Sequence, residues 1–184
     1  MREVMIPAVR GFQAEGTSYR GVLYAGLMIT SNGPRVLEFN CRFGDPEAQV
    51  LLSRLETDLV DIIEATQSGR LGTMAIQWSP KKSVCVVMAS KGYPDQSETG
   101  HKITGLAEAS VERDVIVFHG ATARNGNEWV ASGGRVLGVT ALSENMEEAI
   151  QKAYRAVGRI QFEGMQFRKD IGARALNRKE ERKR

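Results

Sequence analysis

Hydrophobic and polar positions along this chain change period several times, and each change predicts an element. Val22–Ile29 is rich in branched and aromatic residues and predicts a strand. Ser31-Asn32-Gly33-Pro34 predicts a turn, because Asn-Gly readily takes positive φ. Arg35–Asn40 predicts a second strand, so the segment reads as a β-hairpin. Directly after it, Val50, Leu51, Leu55, Leu59, Ile62 and Ile63 recur at helical spacing. Asp45 is expected as N-cap, Pro46 as the first helical residue and Glu47 near the positive end of the helix dipole. Thr57-Asp58 can cap a second helix after a bend, and Gly69 is a plausible stop.

The texture changes after Pro80. Ser83–Ser90, Val115–His119, Glu128–Ala131 and Arg135–Thr140 predict strands, with Ser132-Gly133-Gly134 as a turn. Ser143 is expected to cap a helix bearing Met146, Ala149, Ile150, Ala153, Tyr154, Val157 and Ile160 on one face. A boundary is expected near residues 70–82. The fold class is α+β: a β-hairpin plus helix, then a small, mainly β domain with a packed helix.

The chain's 184 residues, 42% hydrophobic and 26% charged, suffice for a real core. No stretch reaches the length of a membrane span, and the first residues lack the apolar segment of a signal peptide. Two cysteines, Cys41 and Cys85, make neither a disulfide framework nor a zinc site on their own. The expected location is the cytoplasm. The chain holds 25 basic and 22 acidic residues, and Arg168–Arg184 carries eight of the basic against three of the acidic. Residues 1–167 therefore have a net charge of −2, so net charge gives no support for nucleic-acid binding by the folded body. Residues 176–184 read as a solvated basic tail.

Candidate chemistry concentrates in EFNCRFGDPE, residues 38–47. Strand alternation puts Glu38 and Asn40 on one face. A carboxylate and an amide oxygen at that spacing suit a hard cation, which takes few protein ligands when substrate phosphates supply the rest. Arg42, on the same side if the strand continues, can stabilise charge on a transferring phosphoryl group. On spacing alone, the pair equally fits a solvent-facing strand edge and Arg42 a surface cation. His101 and His119 have no partner motif, and neither a Walker-type loop nor GxGxxG is present.

GVLYAGLMI (21–29) followed by VLEFNCRFGDPEAQ (36–49) resembles the phosphoribosylamine–glycine ligase family (glycinamide ribonucleotide synthetases) of the ATP-grasp superfamily. The likeness continues through KGYP (91–94), ASGGRVLGVTAL (131–142), AYRAVGRIQFEG (153–164) and FRKDIGARAL (167–176). It implies ATP-dependent joining of 5-phosphoribosylamine and glycine through a glycyl phosphate, an early step of purine synthesis. Carried over by position, Glu38 and Asn40 match metal ligands for Mg²⁺ or Mn²⁺, and Arg42 matches the arginine near the transferring phosphate. Asp45, Glu47, Lys91, Gly92 and Arg135 become candidate substrate contacts. Gly26 stands where many ATP-grasp enzymes carry a further acidic ligand.

The resemblance also implies that the chain is a C-terminal portion. Residues 1–75 would end the ATP-grasp domain and 80–175 would form the C-terminal domain. The N-terminal half, with most of the nucleotide-binding residues, is then an expected partner. Surfaces meant to pack on it predict self-association. The isolated chain is expected to be inactive. The alternatives left open are one subunit of a split ligase and a non-catalytic interaction module derived from the ligase. Membrane and nucleic-acid partners are not expected.

Overall fold

The computed structural model describes residues 1–176. The expected basic tail therefore lies outside the described residues, apart from its first position. The chain divides into two compact units, one formed by Met1–Ala48 with Leu55–Trp78 and the other by Gln49–Arg54 with the chain from Ser79 onward.

The first unit opens with helix α1 (Met5–Ala14), on a segment for which the sequence pattern predicts nothing. Strands β1 (Tyr24–Thr30) and β2 (Gly33–Asn40) pair antiparallel as the predicted hairpin. The turn is tighter than expected, because Thr30 pairs directly with Gly33. Thr30 Oγ1 donates to the Gly33 carbonyl at 2.9 Å and accepts from Asn32 N–H at 3.2 Å, fixing the reversal locally. Pro34 thus belongs to β2, which a sheet of two edge strands permits. Helix α2 (Glu47–Leu52) begins just after Asp45 and Pro46, which form a turn instead of cap and first helical residue.

Helix α3 (Leu59–Gln67) realises the expected second helix. Asp58 Oδ1 accepts from Val60 N–H at 2.7 Å, occupying one of the unpaired donors at the helix start. Gly69 ends it at φ 74°: Arg70 N–H bonds the Ala65 carbonyl at 2.8 Å and Gly69 N–H that of Thr66 at 3.3 Å, a Schellman termination. A 3-10 turn at Leu71–Thr73 follows.

The second unit is built on a four-stranded antiparallel sheet. It contains β3 (Lys82–Ala89), β5 (Val115–His119), β8 (Arg135–Ser143) and β9 (Gln166–Phe167), in the order β5-β8-β3-β9. A second sheet, ordered β4-β7-β6, holds β4 (Lys102–Ile103), β6 (Thr122–Asn125) and β7 (Glu128–Ala131). A short helix, α4 (Leu106–Ser110), precedes β5. Central β8 is buried at every position from Val136 to Ser143, which explains why its sequence is mainly apolar without alternation, with Thr140 and Ser143 as its polar members.

Helix α5 (Met146–Val157) packs on β3 and β8. Its buried positions are Ala149, Ala153, Ala156 and Val157, at helical spacing. Their small side chains allow close approach to the core formed by Val84, Val86, Met88, Leu137 and Val139. The N-cap is Asn145, whose Oδ1 accepts from Glu148 N–H at 2.9 Å. Ser143, expected in that role, ends β8 and donates its hydroxyl to the Glu148 carboxylate. β4, α4 and β9 are too short to show a sequence period, and β6, with the sequence TARN, carries no run of branched or aromatic residues.

Candidate active site

On the hairpin, Tyr24 lies opposite Asn40 and Gly26 opposite Glu38. Cross-strand partners project to the same side of a sheet, so these four positions share one face. Register slips between Gly26 and Leu27, leaving Leu37 as the additional residue of a β-bulge immediately before Glu38. Asn40 Nδ2 donates to Glu38 Oε1 at 3.2 Å, so the expected carboxylate–amide pair is in contact. Arg42 is exposed just beyond the strand, with Nη1 donating to the Phe43 carbonyl at 2.7 Å.

Glu47 opens α2 and accepts from the Tyr24 hydroxyl at 3.1 Å. Partial burial, that hydrogen bond and the charges of Glu47 and Glu38 together push the Tyr24 phenol above its usual pKa. Asp45 stands in the turn between Arg42 and Glu47. Tyr24 is missed by reading motifs alone; the signal is the hairpin register, which sets it opposite Asn40.

Lys91, Gly92 and Arg135 belong to the second unit, where the structure gathers them at one end of the main sheet. Ser90 N–H bonds the Gly134 carbonyl at 2.8 Å, and Ser90 Oγ donates to that of Gly133 at 2.8 Å. Arg135 pairs with Ala89 in the ladder. Gly92 has a backbone reason for being glycine: φ is 81°, and a Cβ there would lie 2.0 Å from the Gln96 carbonyl oxygen.

Lys91 Nζ meets Glu98 Oε1 at 2.8 Å. This contact raises the lysine pKa and lowers that of the carboxyl. His101 has a setting the sequence did not suggest, with Nδ1 3.3 Å from Glu163 Oε2 and Nε2 3.6 Å from Glu98 Oε2.

Among the described residues, no three His, Cys, Asp or Glu side chains converge to hold a metal ion. The Glu38–Asn40 pair nevertheless fits Mg²⁺ or Mn²⁺ in its chemistry, since it offers hard oxygen donors on an accessible strand face. No described helix is long and apolar enough to cross a membrane.

Two family profiles match the two parts of the sequence. "Phosphoribosylglycinamide synthetase, ATP-grasp (A) domain" matches residues 1–48, and "Phosphoribosylglycinamide synthetase, C domain" matches residues 83–174. The chain belongs to the phosphoribosylglycinamide synthetase family.

Among relatives, a phosphoribosylamine–glycine ligase of Allochromatium vinosum is 51% identical over 179 residues, covering 97% of this chain and 42% of that protein. The ligase of Caldanaerobacter subterraneus subsp. tengcongensis is 48% identical, covering 93% of this chain and 40% of its own length. The trifunctional purine biosynthetic protein adenosine-3 of Homo sapiens is 49% identical over 94% of this chain and 17% of its own length. The solved phosphoribosylamine–glycine ligase of Thermotoga maritima superposes with a TM-score of 0.75 at 34% identity, covering 88% of this chain and 39% of that one. The chain thus spans about two-fifths of the length of the single-activity ligases it matches. The α+β architecture agrees with this family membership.

Proposed function

We propose that this chain supplies the C-terminal portion of a phosphoribosylamine–glycine ligase, which joins 5-phosphoribosylamine to glycine at the expense of ATP. A carboxylate is a poor electrophile until it carries a leaving group. In this reading the glycine carboxylate takes the γ-phosphoryl group, forming glycyl phosphate and ADP. The amine of phosphoribosylamine then attacks the acyl carbon, releasing phosphate, and loss of a proton leaves glycinamide ribonucleotide. The observation that carries the proposal is the Glu38–Asn40 contact on one strand face, inside the segment that matches the ATP-grasp domain.

Glu38 and Asn40 would hold Mg²⁺ or Mn²⁺, which when bound offsets the charge of the ATP phosphates. Arg42 has further N–H donors beyond the one bonded to Phe43, and these suit charge developing on the transferring group. The carboxylates of Asp45 and Glu47 suit a cationic amine. Lys91 and Arg135 suit the phosphate of the phosphoribosyl substrate, with Glu98 as competitor for Lys91. Cys41 and Cys85 form no disulfide with each other, which supports the cytoplasmic location.

The partner is the rest of the ligase, whether on another polypeptide or in residues outside this sequence. Its support is the apolar hairpin: Ile29 and Leu37 are 68% and 66% exposed, and Leu27, Met28, Val36 and Phe39 are exposed as well. A two-stranded sheet with that surface needs a covering element. ADP release from ATP, glycine and phosphoribosylamine tests the reading. The isolated chain should release none, and addition of the N-terminal portion of the Thermotoga maritima ligase should restore glycine-dependent release. Turnover by the isolated chain would contradict it, as would silence of the mixture after the two parts are shown to bind. Self-association that excludes the added portion would favour a second copy as the covering element.

A further inference from the structure

The side of the hairpin that bears Glu38 and Asn40 is shaped by the opposite strand. Gly26 is buried although it lies on a largely exposed hairpin. The reason is that the Glu38 side chain lies over it: a Cβ on Gly26 would stand 3.0 Å from Glu38 Cγ and 3.6 Å from Glu38 Oε1. That same point is 3.7 Å from Cε1 of the Tyr24 ring. Tyr24 therefore borders the space Glu38 occupies, and its hydroxyl extends to Glu47 Oε1 at 3.1 Å. The bulge at Leu37 sets the phase in which Glu38 arrives opposite Gly26. Bulges commonly re-aim one side chain in this way.

We propose that Tyr24 and Gly26 are positioning residues for the metal-binding pair. Gly26 provides the bare backbone on which Glu38 lies, and Tyr24 sets the spacing between the Glu38 and Glu47 carboxylates. The inference rests on the metal reading given above. A methyl group at position 26 makes the Glu38 side chain give by a few tenths of an ångström, because a 3.0 Å approach is tighter than two carbons ordinarily make. Loss of the Tyr24 hydroxyl releases Glu47 while keeping the ring beside Glu38.

The test is a titration of the chain with Mn²⁺ and with the Mn²⁺ complex of ATP, bound Mn²⁺ being read by electron paramagnetic resonance. The proteins are wild type, Gly26→Ala, Tyr24→Phe and Glu38→Ala, and circular dichroism melting of each reads folding separately. Both positioning variants should weaken Mn²⁺ binding by about 10-fold, as loss of an outer-shell partner does. Tyr24→Phe should do so without a change in melting, which a merely structural role for the hydroxyl would not produce. Unchanged Mn²⁺ affinity in both variants, with binding lost in Glu38→Ala, overturns the inference and leaves the metal site standing. Absence of wild-type binding, or binding that survives Glu38→Ala, overturns the metal reading and this inference together. If Gly26→Ala fails to fold, Tyr24→Phe alone decides.

Discussion

Replacing Thr140 by valine is expected to stabilise the second unit. Thr140 is fully buried in central β8, between Cys85 on β3 and Ile116 on β5. Its Oγ1 has no hydrogen-bond partner among the described residues. In the unfolded chain water satisfies that hydroxyl, so folding strips it without compensation, at a cost of about 1–3 kcal/mol. Valine keeps the branched shape and removes the polar atom. A gain of about 1 kcal/mol follows, since the pocket has already adapted to the hydroxyl and the full penalty is not recovered.

The mirror substitution checks the sign. Val139 is also 0% exposed but faces the core, so Val139→Thr should cost about 2 kcal/mol by creating the defect that Thr140 carries. Guanidinium unfolding, followed by fluorescence of Trp129 in a Trp78→Phe background, reports on the second unit because the chain has two tryptophans. Thr140→Val should raise the midpoint at unchanged slope. A loss of 1 kcal/mol or more would refute the reasoning. It would show the hydroxyl to be bonded through water, with Gln49 as the evident second partner. Gln49 lies on the same sheet face, 3.8 Å from where a Cβ on Gly138 would stand, and its Oε1 is likewise buried without a partner among the described residues.

Three further outcomes follow from the same geometry. Lys81 Nζ donates to Asp114 Oδ1 at 3.0 Å and holds that carboxyl below its ordinary pKa of 3.8; the native state then binds fewer protons than the unfolded chain, so this stability is present above the ordinary value and lost as pH falls through the native one. Asp114→Asn, which tolerates the positive φ of 63° at this site, should cost about 1 kcal/mol at pH 7 and flatten acid unfolding curves. Asn145→Ala removes the α5 cap and should cost about 1 kcal/mol in the same denaturant assay. Gly92→Ala should cost at least about 1 kcal/mol, because the new Cβ meets the Gln96 carbonyl in a left-handed conformation; unchanged stability would mean that the loop has another conformation.

Much of the fold was legible where the period was long enough. The hairpin, the pair of helices α2 and α3, β3, β5 and β7 announce themselves through branched residues, alternation or helical spacing, and β8 through a short, mainly apolar run after a glycine turn. The misplacements share a cause, which is competition between adjacent polar residues for one role. Ser143 and Asn145 are both competent caps, and the ladder claims Ser143 because β8 extends to pair it with Lys82. Asp45 and Pro46 have the chemistry of a helix start, but α2 begins one residue later. Two-residue strands such as β4 and β9 exist through tertiary pairing and have no local signature.

At the candidate site, the motif named Glu38 and Asn40 and strand alternation brought them together. It could not show what β1 contributes, because Tyr24 and Gly26 gain meaning only from the register. His101 likewise looked isolated, since Glu163 is distant in sequence.

The most direct measurement uses glycine labelled with ¹⁸O in its carboxylate, supplied with ATP and phosphoribosylamine to this chain mixed with the N-terminal portion of the Thermotoga maritima ligase. Mass spectrometry of the released phosphate reads the outcome. If the chain completes a ligase that works through glycyl phosphate, one labelled oxygen passes into each phosphate, and Glu38→Ala abolishes the transfer. Product formed with unlabelled phosphate would contradict the acyl phosphate, and label transfer undiminished in Glu38→Ala would contradict the role assigned to the hairpin.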